Sequence, residues 1–361
     1  MNDAPLLWLE EAGPAAEASV GPKLAKLGEL ARIGLTVPQG FALTTDAYRL
    51  FLEESGVGPK LGGLLGGVGD LNDLAALEQA SHAARRLIET APMPGELAGL
   101  VHDAYEELSD RCHDLNVPMA VRSSASGEDG SHASFAGQYD TYLGVTGTAR
   151  LIDAIRRCWS SLFATRALAY RFQNGLGPVD CPMAVGVLEL VHARCSGVAF
   201  SIHPVTGKRD RMVIEGSWGW GEAVVQGLVT PDHIEVGKAD RRILRYDVAT
   251  KEIVSAFDYE SGRVVETEMP RRLRERPILD EEQVGAVVEV LLTVEEHFGR
   301  PVDVEWVLSR HRRPGEPVTV VQARPETVHS SGGGAQAAAE GWNAGALALR
   351  YAFGISRKDA P

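Results

Sequence analysis

Between Met119 and Gln138 the chain reads MAVRSSASGEDGSHASFAGQ, and this stretch constrains the fold more than any other. The short apolar run Met119 to Val121 predicts a strand. Arg122 follows, and then a segment dominated by Ser, Gly, Ala and acids, with no apolar period of two or 3.6. A loop this rich in small residues can bring backbone N–H groups close to an anion. An arginine at the end of a strand beside it supplies a planar fork matched to phosphate oxygens. On these residues alone, a solvated surface loop is an equal reading.

At 361 residues the chain can bury a large core and divide into two or three lobes. Its formal charge of −13 argues against nucleic acid as a partner and against an anionic membrane surface. Cys112, Cys158, Cys181 and Cys195 lack CxxC spacing and read as free thiols of a reducing compartment, not as a zinc site or disulfide frame. No apolar run approaches a membrane span, and MNDAPLLWLEE lacks a basic leader region, so a cytoplasmic location is the default expectation.

The coarse pattern is α+β. Leu24 to Ile33 predicts a helix ended by Gly34, Pro38 to Ala42 the entry to a strand, and Thr45 the N-cap of a helix through Leu52. Gly56 to Gly69 reads as a Gly-rich connector, followed by helices over Asn72 to Thr90 and Pro94 to Leu108. Ala149 to Asn174 reads as one long amphipathic helix or a pair. Strands are expected at Met183 to Val191, Val198 to Ser201, Met212 to Glu215 and His233 to Val236. Ile243 to Asp247 and Lys251 to Asp258 would form a hairpin, and Asp280 to Phe298 a helix. The small-residue stretch SSGGGAQAAAEG then reads as a linker before a short apolar helix, Trp342 to Phe353.

Val302 to Leu308 and Val318 to Arg324 alternate as two strands of a hairpin. Asp303 and Glu305 share one face of the first; Val320, Gln322 and Arg324 share one face of the second. Two carboxylates, an amide oxygen and a guanidinium would converge. Mg²⁺ takes oxygen ligands and keeps phosphate oxygens and waters in its shell. From periodicity alone, a solvated polar face is the favoured reading.

Several blocks in fixed order carry a resemblance. They are GPKLAKLGELARIGLTVPQGFALTTDAYRLFL from Gly21, the AVRSSA…ASFAGQ segment, SGVAFSIHPVTGKRDRMVIEGSWGWGEAVVQGLVTPD from Ser196, EEHFGRPVDVEWVL from Glu295 and VVQARPET from Val320. Together they resemble the nucleotide-binding domain of phosphoenolpyruvate synthases, pyruvate phosphate dikinases and rifampicin phosphotransferases. That resemblance implies an ATP-grasp fold of two lobes with the nucleotide between them. The lobes would be residues 1–185 and 186–328, with 329–361 a linker and short helix. It implies ATP and Mg²⁺ as cofactors. The phosphate-binding lysine falls on Lys23 and the phosphate arginines on Arg122 and Arg324, these three being the catalytic set. The metal ligands fall on Glu305 and Gln322. Ser123 to Gly137 would be the lid, with Ser134 and Gly137 against the nucleotide. Leu188, Glu189, Leu190 and Val191 would offer backbone N–H and C=O groups to the purine edge. Glu215 falls in the same block set, either as a nucleotide ligand or as a structural carboxylate. Three departures from the family's wording stand out: Pro22 replaces a glycine before Lys23, Leu188 a glutamine, and His203 an Asp or Asn.

Full-length relatives also carry a phosphorylatable histidine in a GG.TSH-like loop, which does not occur here. The expectation is a subunit that passes a phosphoryl group from ATP to a histidine on a phosphohistidine-domain protein in trans, ATP yielding AMP and phosphate. The arrangement resembles phenylphosphate synthase, with a small molecule such as phenol as final acceptor. Two alternatives stand beside it: the nucleotide-binding fragment of a longer synthase or rifampicin phosphotransferase, and a non-catalytic ATP-sensing module.

Overall fold

The computed structural model describes residues 4–67, 73–125, 139–173, 177, 181–221, 229–258 and 263–326. Mixed helix and sheet bear out the α+β expectation. The chain divides into two compact units, 1–29 with 39–190 and 30–38 with 191–361. The lobe boundary expected at 185/186 falls inside a strand, which stays whole within the first unit.

The first unit holds the strands β1 (Leu6–Trp8), β2 (Gly40–Leu43), β3 (Met119–Ala125), β4 (Thr141–Val145) and β5 (Met183–Glu189), in the antiparallel order β1-β2-β5-β3-β4. Its helices are α1 (Glu17–Arg32, whose last residues pass into the second unit), α2 (Thr45–Glu54), α3 (Val57–Gly66), α4 (Leu74–Thr90), α5 (Gly95–Arg111), α6 (Thr148–Ser161) and α7 (Thr165–Gln173). The expected helical stretch from Ala149 resolves into the α6–α7 pair. Leu151, Ile155, Cys158 and Trp159 bury one face of α6. Trp159 centres the core: it stacks on Phe51 at 4.9 Å, and its indole N–H donates to the Met183 carbonyl at 3.2 Å. Each such buried side chain contributes on the order of 2–3 kcal/mol.

Three expectations are corrected in this unit. The Gly56–Gly69 connector contains α3, because Val57, Leu61 and Leu65 recur at helical spacing and are buried; that stripe outweighs the low helix propensity of glycine. Thr45 is the first residue of α2, and Thr44 takes the N-cap position. The strand expected to end at Val121 continues through Arg122 to Ala125, because β5 pairs with it along its whole length.

The second unit holds β6 (Ala193–Phe200), β7 (Arg211–Trp218), β8 (Asp232–Gly237), β9 (Ile243–Asp247), β10 (Ile253–Asp258), β11 (Arg263–Glu268), β12 (Val302–Ser309) and β13 (Thr319–Pro325), with helices α8 (Arg271–Arg274) and α9 (Glu281–Phe298). Six strands form one sheet in the order β13-β12-β6-β7-β8-β9. Asp280 caps α9 through a capping box with Gln283. Helix α9 packs on β12, β13 and β6. Trp306 lies over Gly216, whose absent Cβ would meet the ring at 3.0 Å.

The expected hairpin of 243–247 with 251–258 does not form: β9 pairs with β8, and β10 pairs with β11. Between β9 and β10 the Lys251 ammonium is drawn inside onto Asp232, at 2.5 Å with both side chains fully buried. Asp232 also accepts the N–H groups of Ala249 and Ile278, at 2.9 and 3.0 Å, and so ties three segments together. The Trp342–Phe353 helix lies outside the described residues.

Candidate functional site

In the first unit, the chain enters its site through Gly21. This residue has φ +75°, and a Cβ there would sit 2.2 Å from the Ser124 carbonyl oxygen, so only glycine lets the segment approach β3 this closely. Ser124 Oγ accepts the Leu24 N–H at 3.4 Å. Helix α1 is kinked at Gly21, and Pro22 opens its second section. A first-turn N–H has no intrahelical acceptor in any case, so the proline costs little there. Lys23 follows, half-buried.

Arg122 pairs with Gly186 across β3 and β5. A Cβ on Gly186 would meet Leu24 at 2.6 Å and the Arg122 side chain at 3.4 Å, so that glycine makes room for both. The structure thus brings the 21–24 segment and Arg122 to one side of the sheet. Nothing in the sequence marks Gly186 or Ser124 for this role, because the register that joins them is set by distant segments.

At the end of β5 the Glu189 N–H donates to Gln39 O at 2.8 Å and the Leu190 N–H to Pro118 O at 2.8 Å. In the second unit Val191 O accepts the Trp220 indole N–H at 2.9 Å. These three groups are engaged within the protein. Leu188 is buried in the sheet beside Gly40. Ser134 and Gly137, with the rest of the expected lid beyond Ala125, lie outside the described residues.

In the second unit, β12 and β13 form the expected hairpin. Its register sets Asp303 opposite Arg324 and Glu305 opposite Gln322, so all four share a face. A bulge between Glu305 and Trp306 then pairs Trp306 with Val320, which takes Val320 out of the polar row where simple alternation puts it. Arg324 Nε donates to Asp303 Oδ2 at 2.6 Å. Burial pushes the Asp303 carboxyl up to about 6, against the pull of Arg324 and with a further push from Glu305. Its Oδ1 is buried without a hydrogen-bond partner.

The same face continues across the sheet. Glu305 pairs with Val198, Val198 with Glu215, and Glu215 with His233. Glu215 Oε1 lies 2.9 Å from His233 Nδ1. Burial lowers the His233 imidazole, but its hydrogen bond to Glu215 and the charges of Glu215 and Glu235 outweigh this and leave it raised. His203 Nδ1 accepts the Val205 and Thr206 N–H groups at 3.2 and 3.3 Å. It thereby caps the turn as an Asp or Asn side chain would, and burial lowers its basicity.

Among the described residues no group of three or more His, Cys, Asp or Glu is placed to hold a metal ion. The donor set is instead one carboxylate, Glu305, and one amide oxygen, Gln322, with the buried Asp303 Oδ1 beside them. Hard oxygen donors in this small number suit Mg²⁺, which completes its shell with phosphate and water. A guanidinium next to such a pair suits phosphate.

The family profile described as pyruvate phosphate dikinase, AMP/ATP-binding domain, matches residues 17–341. The chain belongs to this family. Three curated relatives of this dikinase-type domain illustrate it. A probable phosphoenolpyruvate synthase of Methanocaldococcus jannaschii is 38% identical over 327 residues, 91% of this chain and 27% of the relative. One of Methanothermobacter thermautotrophicus is 39% identical over 320 residues, 89% of this chain and 46% of the relative. The phosphoenolpyruvate synthase of Aeropyrum pernix is 37% identical over 348 residues, 90% of this chain and 42% of the relative. The chain therefore spans less than half the length of these relatives. Among the described residues no helix is long and apolar enough to cross a membrane.

Proposed function

We propose that the chain is the ATP-grasp module of a dikinase-type phosphotransferase. Above all, the in-register pairs Glu305–Gln322 and Asp303–Arg324 support this reading. Glu305 and Gln322 would hold Mg²⁺, which when bound neutralises phosphate charge. Asp303 fixes the Arg324 guanidinium, so that this cation would meet phosphate with little cost of ordering. Lys23 and Arg122 would supply further positive charge for phosphate. Phosphoryl transfer of this kind rests on positioning and charge neutralisation rather than on covalent chemistry by the protein.

The acceptor is a histidine of a phosphohistidine domain acting in trans. ATP, water and that histidine give AMP, inorganic phosphate and phosphohistidine. The phosphoryl group then passes to a small molecule such as phenol. The limited share of the relatives' length favours a second reading, in which the chain is the nucleotide-binding part of a phosphoenolpyruvate synthase. The module's own chemistry is the same in both. Mixing the protein with radiolabelled ATP and separately made phosphohistidine domains tests the proposal. Label on an acid-labile histidine, together with AMP, supports it; ADP as the product, or no transfer to any such domain, overturns it.

A further inference from the structure

The polar face of the six-stranded sheet does not stop at the hairpin of β12 and β13. Glu215 lies on it two strands from Glu305, about 10 Å away by ordinary strand spacing. Its carboxylate is fully buried. Oε1 takes the hydrogen bond of His233, whereas Oε2 has no hydrogen-bond partner. Ser217, two residues along the same face, also buries its hydroxyl without a partner. An unsatisfied buried carboxylate oxygen is costly, and such groups in a folded protein call for a reason. A ligand donor supplies one.

His233 is held from its other side as well. Its Nε2 lies 3.7 Å from Glu235 Oε1, and Glu235 is itself fixed by Arg211 Nη1 at 3.0 Å. The imidazole therefore cannot turn away from Glu215 without breaking a second contact. We infer that His233 is a positioning residue: its Nδ1–H holds Glu215 so that Oε2 is presented to a hydrogen-bond donor of the bound nucleotide. This inference rests on the proposed ATP site. Without His233, the Glu215 side chain would lose the contact that fixes its orientation.

Calorimetric titration of Mg-ATP into the whole protein separates the possibilities. His233→Asn keeps an N–H near the position of Nδ1 and should bind within about threefold of the wild type. His233→Leu removes the donor and should weaken binding at least tenfold. In a Glu215→Gln background the same Leu substitution should add less than a further threefold, because the group it positions has already changed. Circular dichroism checks folding; if the Leu variant does not fold, His233→Gln, whose amide sits one methylene too far out, takes its place with the same expectation. Wild-type affinity in the Leu or Gln variant overturns the inference, as does an Asn variant as weak as either. If the wild type itself binds no Mg-ATP, the proposed function falls and takes this inference with it.

Discussion

Arg324 Nε sits 2.6 Å from Asp303 Oδ2, directly across the register of β12 and β13. The carboxylate keeps one edge of the guanidinium fixed, and burial raises Asp303 to about 6 against the pull of Arg324. The raised value means that the folded state binds its proton more tightly than the unfolded chain, whose aspartates titrate near about 3.9. The stabilising contribution is complete below about pH 4 and is lost as pH rises through 6, amounting to about 3 kcal/mol. Asp303→Asn should remove this slope between about pH 4 and 7. Urea unfolding across that range tests it, and an unchanged slope in the variant would assign the dependence to another group.

Glu305→Ala should abolish Mg²⁺-dependent ATP binding while leaving the unfolding midpoint nearly unchanged, because the side chain is only half-buried in the face it shares with Gln322. Titration with and without Mg²⁺ reads the first effect and thermal unfolding the second. Wild-type affinity would remove Glu305 from the site.

Gly21→Ala should cost more than about 2 kcal/mol and weaken nucleotide binding. The new Cβ would meet the Ser124 carbonyl at 2.2 Å in a backbone conformation that alanine resists. Gly34 also has positive φ, but open space surrounds it, so Gly34→Ala should cost about 1 kcal/mol from backbone strain alone. Equal losses in the two variants would contradict the close approach to β3.

Lys251→Met should destabilise the second unit by about 3–5 kcal/mol by stranding a buried Asp232 carboxylate. The double variant with Asp232→Asn should recover part of that loss. Additive losses in a double-mutant cycle would show that the two side chains do not act as a pair.

Much of this was legible in the sequence, and the remainder has a common cause. The capped helix ending at Phe298 and the hairpin carrying Glu305, Gln322 and Arg324 follow from local spacing and turn residues. The site's other members follow from register. Glu215 and His233 join Glu305 only through β6 and β7, and Gly186 meets Arg122 only because β5 pairs with β3. No local pattern encodes which strand lies beside which. The Gly-rich stretch after Gly56 hides its helix for a different reason: its glycines signal a connector, while the stripe of Val57, Leu61 and Leu65 shows its worth only once buried. Val320 left its expected row because a bulge adds a residue that alternation cannot foresee.

The nine residues 30–38 belong to the second unit although they sit inside the sequence of the first, and the Thr36 carbonyl accepts the Val320 N–H of edge strand β13 at 2.8 Å. The chain therefore changes allegiance at 29/30, 38/39 and 190/191. Neither unit can be inherited, swapped or expressed as one uninterrupted stretch of gene. A recombinant starting at 191 would bare the β13 edge to other chains and invite self-association. Crossovers between related genes would preserve both units only when they fall outside the interleaved stretch, so the module is bound to travel through evolution as a single piece.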